Sequence, residues 1–157
     1  ILATMNSYDK TSLYEMSYAF MRRFAFIRVD APEIPENETE RNQLLDHYIE
    51  AWDMTDRDIS KEAEAVGDIW YNVNNAVGGR KIGPAIAKDM LAFLSEGSGP
   101  LEDRATYAVI DYVFPQLEGV RKNNQIVKEI ADSEHVNEDR LKNVARDMLQ
   151  VKFDGEE

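Results

Sequence analysis

Asn6, the pair Arg22-Arg23 and the pair Arg80-Lys81 are the residues whose types and placement bear on phosphate chemistry. Asn6 follows the apolar run Ile1 to Met5, which reads as a short buried strand. An asparagine at the C-terminal end of such a strand can face the crevice where open α/β sheets bind ligands. It also suits a turn. Two arginines at a helix end can stabilise the charge that develops in phosphoryl transfer, or simply complement the helix dipole. Arg80-Lys81 follows Gly78-Gly79 and precedes Pro84, which suits a first helical turn. A basic residue beside a helix N-terminus suits phosphate; a solvated basic loop has the same composition.

The elements around these residues follow from spacing. Ser12 and Glu15 have the spacing of a capping box, so a helix starts there, with Leu13, Met16, Ala19 and Phe20 on its apolar face. It ends at Arg22-Arg23, and Phe24 to Val29 reads as a second strand. Strand, polar tip, helix, arginine pair and strand is the order of parallel strands joined by a crossover helix.

The segments Ala3-Thr4-Met5-Asn6, Met16-Ser17-Tyr18-Ala19 and Arg22-Arg23-Phe24-Ala25-Phe26-Ile27, taken in that order, resemble the AAA+ ATPases of the McrB-like and MoxR-like branch. Met16-Ser17 departs from the Leu-Asp often found there. Ala108 to Gly119, with its Pro115-Gln116-Leu117-Glu118, resembles the end of a lid helix in McrB-like ATPases. The likeness covers roughly residues 1–120. It implies that Asn6 is the sensor-1 residue facing the γ-phosphate and that Arg22 or Arg23 is the arginine finger offered to a neighbouring subunit. It also implies a basic sensor-2 residue at a lid-helix start, for which Arg80 is the first candidate and Lys81 the second. The segment departs from the common G-x-R-x-hydrophobic sensor-2 pattern.

The expected fold is mainly α: the end of an α/β P-loop NTPase core, made of two short strands and a helix, followed by an all-helical AAA+ lid. The expected domains are residues 1–30 as the core remnant, 31–37 as a linker with Pro32 and Pro35, 38–150 as the lid and C-terminal helices, and 151–157 as a frayed tail. The chain has no initiator Met, no G-x-x-x-x-G-K-[ST] phosphate loop and no apolar strand ending in Asp-Glu. It is therefore expected to be the C-terminal part of a longer chain. ATP or GTP with Mg²⁺ would serve the full-length protein, with none expected bound to this part, which would be inactive alone. The resemblance further implies a homo-oligomeric ring that remodels a substrate or effector protein.

Composition narrows the alternatives. The 157 residues carry a net charge of −12 and no cysteine, which excludes disulfides and thiolate chemistry. Residues 1–30 hold four Lys/Arg and three Asp/Glu, whereas the remainder holds fourteen and twenty-seven. That acidic remainder repels phosphate, so broad nucleic-acid binding is not expected. A helix-turn-helix around His135-Val136-Asn137 is disfavoured because both flanking helices are acidic. No apolar run spans a membrane and no signal peptide opens the chain, so a cytoplasmic location is the default. His47 and His135 lack a partner histidine at ligand spacing, and no metal site is expected. The rival to the ATPase is an acidic helical module that docks a basic partner without catalysis.

Periodicity places the lid helices. Asn37 with Glu40 caps one that carries Leu44, Leu45, Tyr48, Ile49 and Trp52 inward. A second starts between Thr55 and Asp58 on the seam Ile59, Ala63, Val66, Trp70, Val73 and Val77, and Gly78-Gly79 stops it. Trp70 and Tyr71 read as core. A third turns Ile86, Met90, Leu91 and Leu94 inward, and a fourth covers Asp103 to Gln116. A short one follows on Ile126, Val127 and Ile130. The last, capped by Asn137, buries Leu141, Val144, Ala145, Met148 and Leu149. Clusters such as Glu62-Glu64 read as solvated faces.

Overall fold

The computed structural model describes residues 19, 22–27, 29–56, 58–78, 81–120 and 122–153. The chain divides into two compact units, residues 1–30 and 31–157. In the first, Ala19 is helical, Arg22 and Arg23 lie in a turn, and Ala25 to Ile27 carry no regular secondary structure. Phe26, Ile27 and Val29 are exposed. The predicted first strand, with Asn6 at its end, lies outside the described residues; the second, expected over Phe24 to Val29, is not formed by the described residues there, and the described residues contain no strand.

The second unit is helical. After an irregular linker, α1 runs Glu38–Ala51, α2 Ser60–Val77, α3 Pro84–Glu96 and α4 Leu101–Ala108. A π-helical turn Val109–Val113 and a 3₁₀ turn Phe114–Leu117 continue from α4, followed by α5 Asn123–Ala131 and α6 Glu138–Leu149. Asn37 caps α1 by accepting a hydrogen bond from the Glu40 amide at 3.1 Å, and Asn137 caps α6 by accepting one from the Arg140 amide at 2.9 Å. Each satisfies an amide that the first turn leaves without a helical partner.

Helix α2 is the centre of the bundle and packs against α1, α3, α4 and α5. Its seam residues Ala63, Val66, Trp70 and Val73 are buried together with Ala65 and Ile69. This is the wide stripe a helix needs when several partners cover it. Gly67 marks the crossing of α1: a methyl group there would come within 2.7 Å of Leu45 Cδ1. Gly78, at φ 68°, ends the helix in a conformation that a side chain would strain.

Several expectations about the helices and the tail are corrected. Helix α2 begins at Ser60, later than Thr55–Asp58, because Asp58 turns the chain by accepting from both the amide and the hydroxyl of Ser60, at 3.2 and 2.6 Å. The fourth predicted helix is not continuous. It starts at Leu101 and widens to a π turn before Pro115, whose ring clashes with the carbonyl four residues back in an α-helix and which has no amide to donate. Met148 is exposed, whereas Leu141 and Ala145 are buried and Val144 and Leu149 pack partly covered. Phe153, expected in a frayed tail, packs on the core, with the cationic groups of Lys142 and Arg146 at 5.7 and 5.3 Å from its ring centroid. Residues 154–157 lie outside the described set.

Long-range polar contacts hold the helix ends. Arg104 on α4 donates to the Leu94 carbonyl in the last turn of α3, to Gly99 O at 3.2 Å and to Glu62 Oε1 on α2 at 3.1 Å. Glu62 is thus a largely covered partner and not part of a solvated face. Thr106, fully buried, donates to Glu102 O at 2.7 Å and accepts from the Asn137 amide at 2.8 Å, which ties α4 to the start of α6.

Candidate functional site

The segment between α2 and α3 is built on the last two turns of α2. Trp70 and Asn74 are four residues apart and share a face. Trp70 donates its indole N–H to the Ile82 carbonyl at 2.8 Å. Asn74 donates to the same carbonyl at 3.0 Å and accepts from the Ile82 amide at 2.6 Å. One side chain therefore mimics a strand neighbour for Ile82, and all three residues are buried. Pinning Ile82 fixes Lys81 on one side and, on the other, Gly83 and Pro84, where α3 begins.

Beside this pinned segment is an open cleft of about 200 Å³ lined by Ile34, Tyr71, Asn74, Asn75, Gly78 and Lys81. It offers one ammonium, one phenol and two carboxamides, with an isoleucine as its apolar wall. Such a set can orient a polar planar ligand and give one positive charge to an anion.

The wall at Ile34 belongs to the linker, and Arg41 holds that linker in place. Arg41 is 7% exposed. Its Nη1 donates to the carbonyls of Pro35 and Glu36 at 3.2 and 2.9 Å, and its Nη2 pairs with Asp68 on α2. Its guanidinium carbon stands 5.0 Å from the Tyr71 ring centroid. Asp68 receives a second partner, His135 Nε2 at 3.0 Å on Oδ2, from the turn between α5 and α6.

Of the residues singled out in the sequence, Lys81 lines this cleft. Arg80 and Asn6 lie outside the described residues. Arg22 and Arg23 are exposed in the turn of the first unit. Sequence reasoning passed over Ile34, Asn74 and Asn75 as cleft walls and Arg41 as the linker's anchor, and it read Tyr71 as core, whereas Tyr71 is only partly buried and lines the cleft. The one local signal was the spacing of Trp70 and Asn74 before the glycine stop. A second cleft, of about 160 Å³, lies among Asp53, Met54, Asp56, Ile59, Ala92, Ser95 and Glu96, with an acidic rim.

No family model, curated protein or solved structure matches this chain.

Proposed function

We propose that this chain provides the sensor, arginine finger and lid of an AAA+ nucleoside triphosphatase of the McrB-like or MoxR-like branch. The observation that most supports it is the cleft itself, where linker residue Ile34 and the sensor-2 candidate Lys81 line one cavity at the start of α3. A lid that closes over a nucleotide needs its linker and a basic helix start at the same place. The mainly helical second unit, in which no described helix is long and apolar enough to cross a membrane, is compatible with that role.

In this role Lys81 would face a phosphate oxygen, while Tyr71 and Ile34 would flank the ligand. The phosphate loop and the Mg²⁺ ligands come from residues other than these 157. Asn6 senses the γ-phosphate, and Arg22 or Arg23 acts on the neighbouring subunit's nucleotide in a cytoplasmic homo-oligomeric ring that remodels a protein substrate. Phosphoryl transfer depends mostly on positioning and electrostatics, so residues far from the phosphate loop control the rate.

A mixing experiment on the full-length protein tests this. Arg22→Ala or Arg23→Ala, whichever removes the finger, leaves nucleotide affinity nearly intact and cuts hydrolysis by ~10³ or more. Mixed with subunits that lack the phosphate-loop lysine but keep both arginines, the finger variant regains hydrolysis. Near wild-type rates in both single variants, or no rescue in mixed rings, would refute the assignment. That result would favour the acidic interaction module, whose acidic cleft would bind a basic peptide.

A further inference from the structure

Arg41, Asp68 and His135 come from three separate parts of the second unit: the first turn of α1, the middle of α2, and the turn between α5 and α6. We propose that they form a relay that couples the position of the linker wall at Ile34 to the turn at residues 132–137. The linker end has no regular secondary structure of its own. Beyond Asn37, which is tied to the first turn of α1, its described side-chain anchors are the two hydrogen bonds from Arg41 to Pro35 O and Glu36 O. Arg41 is in turn oriented by Asp68, and Asp68 is shared with His135.

Three observations carry this beyond ordinary packing. First, a guanidinium has a rigid planar fork, so a change at the Asp68 end rotates the end that holds the linker carbonyls. Second, Arg41 Nε is buried without a hydrogen-bond partner among the described residues, so the group is not arranged for maximal satisfaction. The Arg41–Asp68 pair is covered on the Arg41 side and partly exposed at Asp68, so it orients the guanidinium while leaving Asp68 within reach of His135. Third, Tyr71 lies under the Arg41 guanidinium and also lines the cleft, so movement of Arg41 reaches the cavity by a second route. A protein or ligand that engages the turn at His135 therefore shifts the cleft wall, and a ligand that presses on Ile34 shifts the turn. The coupling does not depend on the nucleotide reading; it holds or fails whatever the cleft takes.

Limited proteolysis with a glutamyl endopeptidase reads the linker directly, because Glu33 and Glu36 flank Ile34-Pro35 and are exposed. Local opening of the linker, without global unfolding, sets the cleavage rate when reclosing is fast. Arg41→Met should raise cleavage at these sites tenfold or more. Arg41→Lys, which keeps the charge but lacks the fork, should give an intermediate rise. His135→Ala should raise cleavage three- to tenfold and shift the Ile34 methyl resonance, although His135 touches neither linker carbonyl. The double variant should cleave no faster than Arg41→Met alone, because both act through Asp68. His47→Ala, at an exposed histidine of α1 whose described hydrogen bond is to Gln43 O, is the control and leaves cleavage unchanged. Helical circular dichroism must match wild type for each variant; if Arg41→Met fails that check, Arg41→Lys with His135→Ala decides. The relay is overturned if His135→Ala leaves both the cleavage rate and the Ile34 methyl at wild-type values. Rates that multiply in the double variant would also overturn it.

Discussion

Replacing Asn74 by leucine removes the side chain that holds Ile82, and the cost follows from the contacts. The Ile82 amide loses its acceptor while remaining buried, which costs about 1–3 kcal/mol. The Ile82 carbonyl loses one of two donors but keeps Trp70, so that loss is about 1 kcal/mol. Leucine returns roughly 1 kcal/mol through apolar burial at the same site. The net destabilisation is about 2 kcal/mol. With a slope of roughly 2 kcal/mol per molar urea, the unfolding midpoint should fall by ~1 M. Trp70→Phe is the companion measurement: it leaves the Ile82 amide paired and should cost only about 1 kcal/mol of hydrogen bonding. Hydrogen exchange at the Ile82 amide separates local from global effects. In Asn74→Leu its protection should fall further than that of the α2 core amides. A midpoint within 0.25 M of wild type, with Ile82 protection preserved, would refute the bracing role. So would a larger loss from Trp70→Phe than from Asn74→Leu.

Gly67→Ala gains about 1 kcal/mol of helix propensity but forces a methyl against Leu45 Cδ1 inside the α1–α2 contact, an overpacking cost of about 1–3 kcal/mol. Thermal unfolding should show a net loss near 1 kcal/mol; a clear stabilisation would mean that α1 slides at little cost. The Asp58 carboxyl is held below the ordinary aspartate value of 3.8, first by the Ser60 hydroxyl and then by the Ser60 amide. Its contribution to stability is therefore present above 3.8 and fades as pH falls through the lower folded value. A carboxyl-carbon NMR titration should place its midpoint below 3.8, and Ser60→Ala should move that midpoint upward.

The helical faces were legible because each depends on local spacing. The seam from Ile59 to Val73 is a single-helix pattern, and the asparagine caps at 37 and 137 are single-turn patterns. Where the sequence misled, a contact distant in the chain decided the outcome. Glu62 looks solvated until Arg104, 42 residues on, reaches it. Met148 occupies an apolar position of α6 but is left 53% exposed by the described residues. Arg41 carries no local sign of burial, since its charge partner lies at Asp68, 27 residues on, and through it at His135. The π turn was missed for another reason. Pro115 was read as a helix stop, whereas the chain accommodates it by widening the preceding turn and tightening the next. The cleft was half legible: Lys81 stood out by charge and by its place before a helix, but its opposite wall at Ile34 is 47 residues away and enters only through folding.

The two walls of that cleft are held by the same physical means. Helix α2 is the shared floor, with a buried face running from Ala63 to Asn74. The linker is tied to it through Arg41 and Asp68, and the α2–α3 segment through Trp70 and Asn74. In both cases a side chain bonds to loop backbone, so no helix need unfold for a wall to move. Releasing one such anchor costs a few kcal/mol at most, well below what separates a folded bundle from an unfolded chain. The walls can therefore open on their own while the core stays packed. A ligand that fills the cleft gains affinity in proportion to how far these anchors have already ordered the walls, because ordering done beforehand is not charged to binding. Weakening either anchor should thus lower affinity for whatever occupies the cleft by speeding its dissociation, and a ligand whose residence time is indifferent to both Arg41→Lys and Asn74→Leu does not bind there.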